Sequence, residues 1–390
     1  MPFAIYVISL TIFCMTTSEF MVAGMMNTLS EEYGVSVPAV GYLITAFSAG
    51  MVVGGPLLTA ALLNVSRKKA FLALTAVFFA GQILGALAWS YDAMMVSRII
   101  TGVASSAAFG VSISITASLV EADRQGRAVA IVFGGLMLAT VLGTPVATWA
   151  ADAYGWRFSF WAVAVLVLLA GLTALMLVPP LSKPEVTSLH REMKSFRNRG
   201  LWAAYLTSFL IIGATFAAFS YFSPVFTDLT GFSSEAVPLL LAVYGAATVA
   251  GNVITGRLAD RYTMPLLASG LLLLLAALLV FALGAREPAA VIPAVIVIGL
   301  AGVPMNPPMV ARVIRTAGSG LMVSTIHTAL VTFGVAVGSS VGGLAISAGY
   351  GLTAPLWIGA LLALTGLLSL LPYWNGIFSR PSACKTGGLQ

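Results

Sequence analysis

The feature that most constrains this chain is a recurrence of apolar runs, each about 20 residues long and separated by short polar turns, along nearly the whole sequence. About 20 apolar residues wound into a helix cross the ~30 Å hydrocarbon core of a bilayer. Lipid offers the backbone no hydrogen-bond partner, so a single chain of this pattern spans as helices. Twelve spans are predicted, at roughly 3–27, 37–63, 70–90, 93–119, 128–150, 158–178, 201–226, 235–257, 265–284, 290–310, 320–346 and 352–375. Composition agrees: 59% of the 390 residues are apolar and 8% charged. A soluble domain carries about 25% charged residues, and so few charges could not cover a water-facing surface. The fold class is therefore an all-α membrane protein with twelve transmembrane helices. The longest polar stretch, 179–200, splits it into two six-helix bundles, residues 1–178 and 201–378, followed by a tail at 379–390.

The net charge of +6 raises nucleic acid as a partner, but its distribution argues against one. With the N-terminus placed inside, sixteen of the nineteen Lys and Arg fall in inner loops, the linker or the tail. Arg157 and Arg286 fall outside, and Arg98 lies within a span. This is the positive-inside bias of a membrane protein with both termini cytoplasmic. An error of one crossing early in the chain would scramble it. The linker and the tail, with Lys183, Arg191, Lys194, Arg197, Arg199, Arg380 and Lys385, read as cytoplasmic, and 190–199 as a short basic helix at the lipid surface or a tether. Cys14 lies in the first span and Cys384 in the tail, so no disulfide framework is expected. The first run lacks a basic leader and continues too far for a cleaved signal, so it reads as a retained helix.

The two halves echo each other. Gly55-Pro-Leu-Leu-Thr-Ala-Ala-Leu-Leu-Asn64 aligns with Gly251-Asn-Val-Ile-Thr-Gly-Arg-Leu-Ala-Asp260 at an offset of about 196 residues, and Gly34-Val-Ser36 echoes Gly231-Phe-Ser233. Duplicated halves are a common transporter design, with the substrate site at mid-membrane between them. The six-plus-six layout, GRLADR at 256–261, SRIITG at 97–102 and GTPVATW at 143–149 resemble the signatures of the major facilitator superfamily. MPFAIYV at the start, TSEFMVAG at 17–24 and GWRFSFW at 155–161 resemble its twelve-helix drug:proton antiporters, closest to the chloramphenicol-resistance exporters and the arabinose-efflux-like permeases. The resemblance implies a bacterial inner-membrane exporter working as a monomer, with protons as coupling ion and no cofactor or metal. It also implies that Gly256, Asp260 and Arg261 form a conformational loop network. The first copy of that loop departs from the signature, with Asn64 where Asp is expected.

Two charged residues lie well within apolar spans, Glu19 and Arg98. Intramembrane charges are costly and are functional candidates by default. Counting ~1.5 Å per residue from the outer helix ends puts both about 10 Å deep. If the first and fourth helices line one cavity, as the resemblance implies, the pair interacts. Low dielectric disfavours a charged carboxyl while a neighbouring guanidinium favours it, so Glu19 can load and release a proton while Arg98 tunes it. The competing reading is a structural pair stapling two helices. Thr101, Ser105, Ser112 and Thr116 share a face with Arg98 and read as a wet cavity wall.

Other signals are weaker. Tyr42, Phe47, Tyr221, Tyr244 and Trp357 are candidates to line a pocket for an aromatic amphiphile, or are interfacial packing. His327 is a proton carrier or a hydrogen-bonded packing residue. Gly143 and Pro145, with Pro304, Pro307 and Pro308, mark kinks or gates. Gly334, Gly338 and Gly342 form a small-xxx-small stripe for close packing; the overlapping G-x-S-x-G pattern lies mid-span with no strand before it and is not a nucleophile elbow. The leading function is a proton-coupled antiporter exporting small amphiphilic drugs, and the resemblance at MPFAIYV and TSEFM implies chloramphenicol or a related phenicol as first substrate. Sugar or metabolite efflux is the alternative, but it draws only on Gln82, Asn252 and Asn306. A membrane enzyme is remote, for no nucleophile with its base, H-E-x-x-H or Asp-rich pair is present.

Overall fold

The computed structural model describes residues 1–62, 65–121, 124–181, 194–317 and 321–373. Twelve helices in it are long and apolar enough to cross a membrane. They are α1 Phe3–Gly24, α2 Val37–Leu62, α3 Arg67–Ala86, α4 Tyr91–Ser118, α5 Ala128–Tyr154 and α6 Trp156–Leu177, then α7 Arg199–Phe219, α8 Ser234–Ala259, α9 Arg261–Leu283, α10 Pro288–Ala317, α11 Val323–Tyr350 and α12 Ala354–Tyr373. Each coincides with an expected span. Asn64 and the linker residues 182–193 lie outside the described residues, and so does the side chain of Asp260.

Local chemistry sets the ends. Ser90 caps α4, its hydroxyl accepting from the Ala93 amide at 3.2 Å. Asn198 caps α7 by accepting from Gly200 at 2.9 Å. Proline in the first turn opens α8, α10 and α12, where its missing N–H costs nothing. A short helix, Met26–Tyr33, follows α1 and stops at Gly34 in the left-handed region, φ 61°.

Between helices, glycine lets backbones touch, and the pattern occurs twice. A Cβ on Gly102 of α4 would lie 2.1 Å from the Phe47 carbonyl oxygen of α2; one on Gly299 of α10 would lie 2.8 Å from the Tyr244 carbonyl oxygen of α8. Phe47 and Tyr244 are 197 positions apart, as are Gly102 and Gly299, so the echo seen in the loop sequence extends to helix packing. The stripe on α11 packs as expected: a Cβ on Gly338 would meet the Gly213 carbonyl of α7 at 2.3 Å.

Two of the proline and glycine segments depart from regular α-helix. In α5, residues Ala139–Gly143 form a single π turn, after which Pro145 starts a regular helix. In α10 the helix stops at Ala301. Gly302 leaves helical geometry (φ −86°, ψ −101°), Val303–Met305 make a 3₁₀ turn, and helix resumes at Asn306. The Pro304 carbonyl accepts the Thr255 hydroxyl of α8 at 2.6 Å.

The halves meet at the arginine-poor end. Asn27 donates to Thr227 at 2.8 Å and to Asp228 at 3.4 Å, Thr45 and Ser340 share a hydrogen bond of 2.9 Å, and Ser339 donates to the Gly41 carbonyl at 3.2 Å. The Tyr221 hydroxyl sits against Gly41 and donates to the Ser339 carbonyl at 2.8 Å. Further along this face of α2, Ala49 is exposed and Val52 partly exposed. The halves therefore touch at that end, while the same face of α2 becomes uncovered toward the other.

Candidate functional site

Arg98 is fully buried in α4. Its Nη1 donates to the Ser18 carbonyl at 2.8 Å and the Ser18 hydroxyl at 3.3 Å, and its Nη2 to the Glu19 carbonyl at 3.0 Å. Its Nε points to the Leu43 carbonyl at 3.5 Å, and its guanidinium lies 4.4 Å from the Phe47 ring centroid. A single cation thus ties the middle of α1, α2 and α4 together, which compensates for burying it. The network continues inward: Ser18 donates to Gln82 at 2.8 Å, and Gln82 to the Phe160 carbonyl at 3.3 Å.

Glu19 is the neighbour of this network and not a member of it through its carboxylate. Arg98 holds the Glu19 main chain, and the Glu19 carboxylate has no hydrogen bond or ion pair among the described residues. The side chain is partly exposed, unlike Ser18 before it. The helix places Arg98 under the carbonyls of Ser18 and Glu19, and leaves the carboxyl beside a cation without being locked to it. The expected pairing is therefore electrostatic proximity, not a staple.

The next residue carries an aromatic wall. Phe20 of α1 lies 5.6 Å from Phe216 and 5.9 Å from Phe219, both on α7, and Tyr244 of α8 stacks on Phe219 at 4.9 Å. Tyr244 is 3% exposed, and its hydroxyl makes no well-formed hydrogen bond among the described residues. Sequence reading selected Tyr244 but missed Phe20, Phe216 and Phe219. Their signal was an aromatic next to the acidic residue and a Phe216–Phe219–Phe222 repeat on one helical face.

Other predicted residues lie elsewhere. Phe47 is buried beneath Arg98, and Tyr221 is buried where the halves close. Thr101, Ser105, Ser112 and Thr116 are all buried, so this face of α4 packs against protein where a wet wall was expected. Thr101 and Ser112 satisfy their hydroxyls on their own helix. Gln82, counted for a sugar site, is taken up by Ser18 and Phe160. His327 is 4% exposed, hydrogen-bonded to Ser208 at 2.9 Å and stacked on Tyr205, as in the packing alternative. Tyr42, Trp357, Asn252 and Asn306 keep some exposure. Gly256 is exposed, and the Arg261 guanidinium lies over the Tyr262 ring at 5.1 Å.

Comparison with known proteins places this geometry. A chloramphenicol resistance protein of Streptomyces lividans is 32% identical over 391 residues, spanning 99% of this chain and 100% of that protein. The inner membrane transport protein YdhP of Escherichia coli K12 is 34% identical over 370 residues, 94% of each chain. The putative transporter AraJ of the same organism is 26% identical across 97% of this chain and 96% of its own. Among solved structures, a bacterial homologue of the human lysosomal transporter Spinster, inward-facing and unoccupied, superposes with a TM-score of 0.76 at 12% identity, covering 97% of this chain and 98% of its own. The family model for the Major Facilitator Superfamily matches residues 8–326. With twelve spanning helices and relatives that are transporters along nearly its whole length, the chain is a multi-pass membrane transporter and not an enzyme, and it belongs to the Major Facilitator Superfamily.

Proposed function

We propose that this transporter is a proton-driven exporter of small aromatic amphiphiles, with a phenicol such as chloramphenicol as its first substrate to test. The observation that carries the reading is the Glu19 carboxylate: intramembrane, partly exposed, free of any direct partner, and beside a buried guanidinium anchored to main-chain carbonyls. Such a group can exchange a proton each time the cavity changes face, because no ion pair must first be broken. Of the rings next to it, Phe20 keeps some exposure while Phe216, Phe219 and Tyr244 are buried here, and they become apolar area for an aromatic ring when the halves move apart. The drug class rests on the 32% identical chloramphenicol resistance protein. The two moving bodies are residues 1–178 and 201–378, oriented with both termini in the cytoplasm, so that the uncovered end faces the cell interior.

Reconstitution in proteoliposomes tests both halves of the proposal. With a proton gradient imposed, wild type accumulates labelled chloramphenicol against its gradient, and Glu19→Gln loses all uphill transport while still exchanging substrate downhill. Uphill transport retained by Glu19→Gln overturns the coupling role. Absence of chloramphenicol movement by wild type, with proton flux driven by other amphiphiles, overturns only the substrate.

A further inference from the structure

A second site stands apart from the central one, at the arginine-rich ends of α7, α9, α10 and α12. There a cavity of about 340 Å³ is lined by Gly200, Thr263, Arg312, Arg315, Thr316 and Tyr373, among others. Arg312 is 7% exposed. Its Nη1 donates to the Thr207 hydroxyl at 2.8 Å and its guanidinium lies 5.0 Å from the Tyr373 ring centroid, but its Nη2 is buried without a partner among the described residues. A buried cationic nitrogen left unpaired is unfavourable, and so marks a place where an anion is wanted. Arg315, exposed and nearly one turn along, lines the same cavity. Gly200 belongs to the first turn of α7, whose helix dipole turns its positive end to the cavity. Among the described residues, no acidic side chain lines it. Exposed Arg197 and Arg199 lie next to it in sequence.

We infer that this cavity binds a phosphoryl group, with Arg312 as its buried anchor and Arg315 as its outer clamp. Nη1 stays with Thr207, and Nη2 is the donor left for a phosphate oxygen, beside the Tyr373 ring. The group is supplied by an anionic phospholipid headgroup or by free phosphate. The position, at helix ends on the basic side of the protein, is where headgroups lie.

The test uses purified full-length protein in detergent, read by native mass spectrometry and by thermal midpoint, with phosphatidylglycerol, inorganic phosphate and diacylglycerol as probes. Phosphatidylglycerol is expected to remain bound and raise the midpoint, and diacylglycerol to do neither. Arg312→Gln is expected to weaken phosphatidylglycerol about tenfold, and Arg315→Gln about fivefold. Binding of inorganic phosphate with the same dependence on both arginines assigns the site to a soluble phosphate; binding of the lipid alone assigns it to a headgroup. If Arg312→Gln does not fold, Arg315→Gln, altered at an exposed side chain, decides. Binding of neither probe, or binding indifferent to both substitutions, overturns the inference.

Discussion

Arg98 makes four polar contacts, three of them to main-chain carbonyls on two other helices. Lysine carries the same charge but cannot reach that many acceptors from one ammonium. Arg98→Lys is expected to cost about 2–4 kcal/mol of stability, read as loss of monodisperse protein on heating; a variant as stable as wild type would contradict the anchor role. Tyr244 is the converse case. Its hydroxyl is buried without a well-formed hydrogen bond among the described residues, so Tyr244→Phe should leave stability unchanged or slightly higher. If substrate supplies the missing partner, the same variant raises KM for chloramphenicol several-fold, which transport assays would reveal. At this scale the sequence was legible wherever a charge interrupted an apolar run, as at Glu19 and Arg98. The true acceptors of Arg98 were not, because a carbonyl oxygen belongs to every residue and leaves no mark in the sequence.

At the scale of the helix, close approach is the organising contact. Gly338→Ala would drive a methyl into the Gly213 carbonyl, and is expected to destabilise by about 1–3 kcal/mol as α7 and α11 separate. Gly134 is exposed with nothing within 4 Å of its missing Cβ, so Gly134→Ala should be neutral or stabilising by up to ~1 kcal/mol. Equal thermal midpoints for the two variants would contradict this account. Span limits were legible from apolar runs to within a few residues. The largest differences are in α7, expected to run to 226 but ending at Phe219, and in α10, expected to end near 310 but continuing to Ala317. The helix runs on through Arg312 because Thr207 and Tyr373 receive its guanidinium, a compensation that only the folded neighbours supply. The packing echo of Phe47–Gly102 in Tyr244–Gly299 was equally hidden, since it joins positions distant in each half.

For the whole molecule, the contacts between halves define one closed end. Thr45 and Ser340 face each other there with hydroxyl oxygens 2.9 Å apart. In a background with Cys14 and Cys384 replaced by Ser, the pair Thr45→Cys and Ser340→Cys should form a disulfide on oxidation. Transport is expected to stop when the bridge forms and to return on reduction. Export that continues with the bridge intact would show that this end never needs to open.

The broken tenth helix has a mechanical consequence. Its buried carbonyl at Pro304 accepts from the Thr255 hydroxyl, and the residue after Thr255 is Gly256, the first of the GRLADR segment. The GRLADR segment, which begins in the last turns of α8, and the break in α10 are thus joined by this bond and by the close approach of Gly251 to Leu300 and Pro304. Thr255→Val removes the bond and leaves the glycine contact, so a slowed transport rate in that variant would trace the coupling to one hydroxyl.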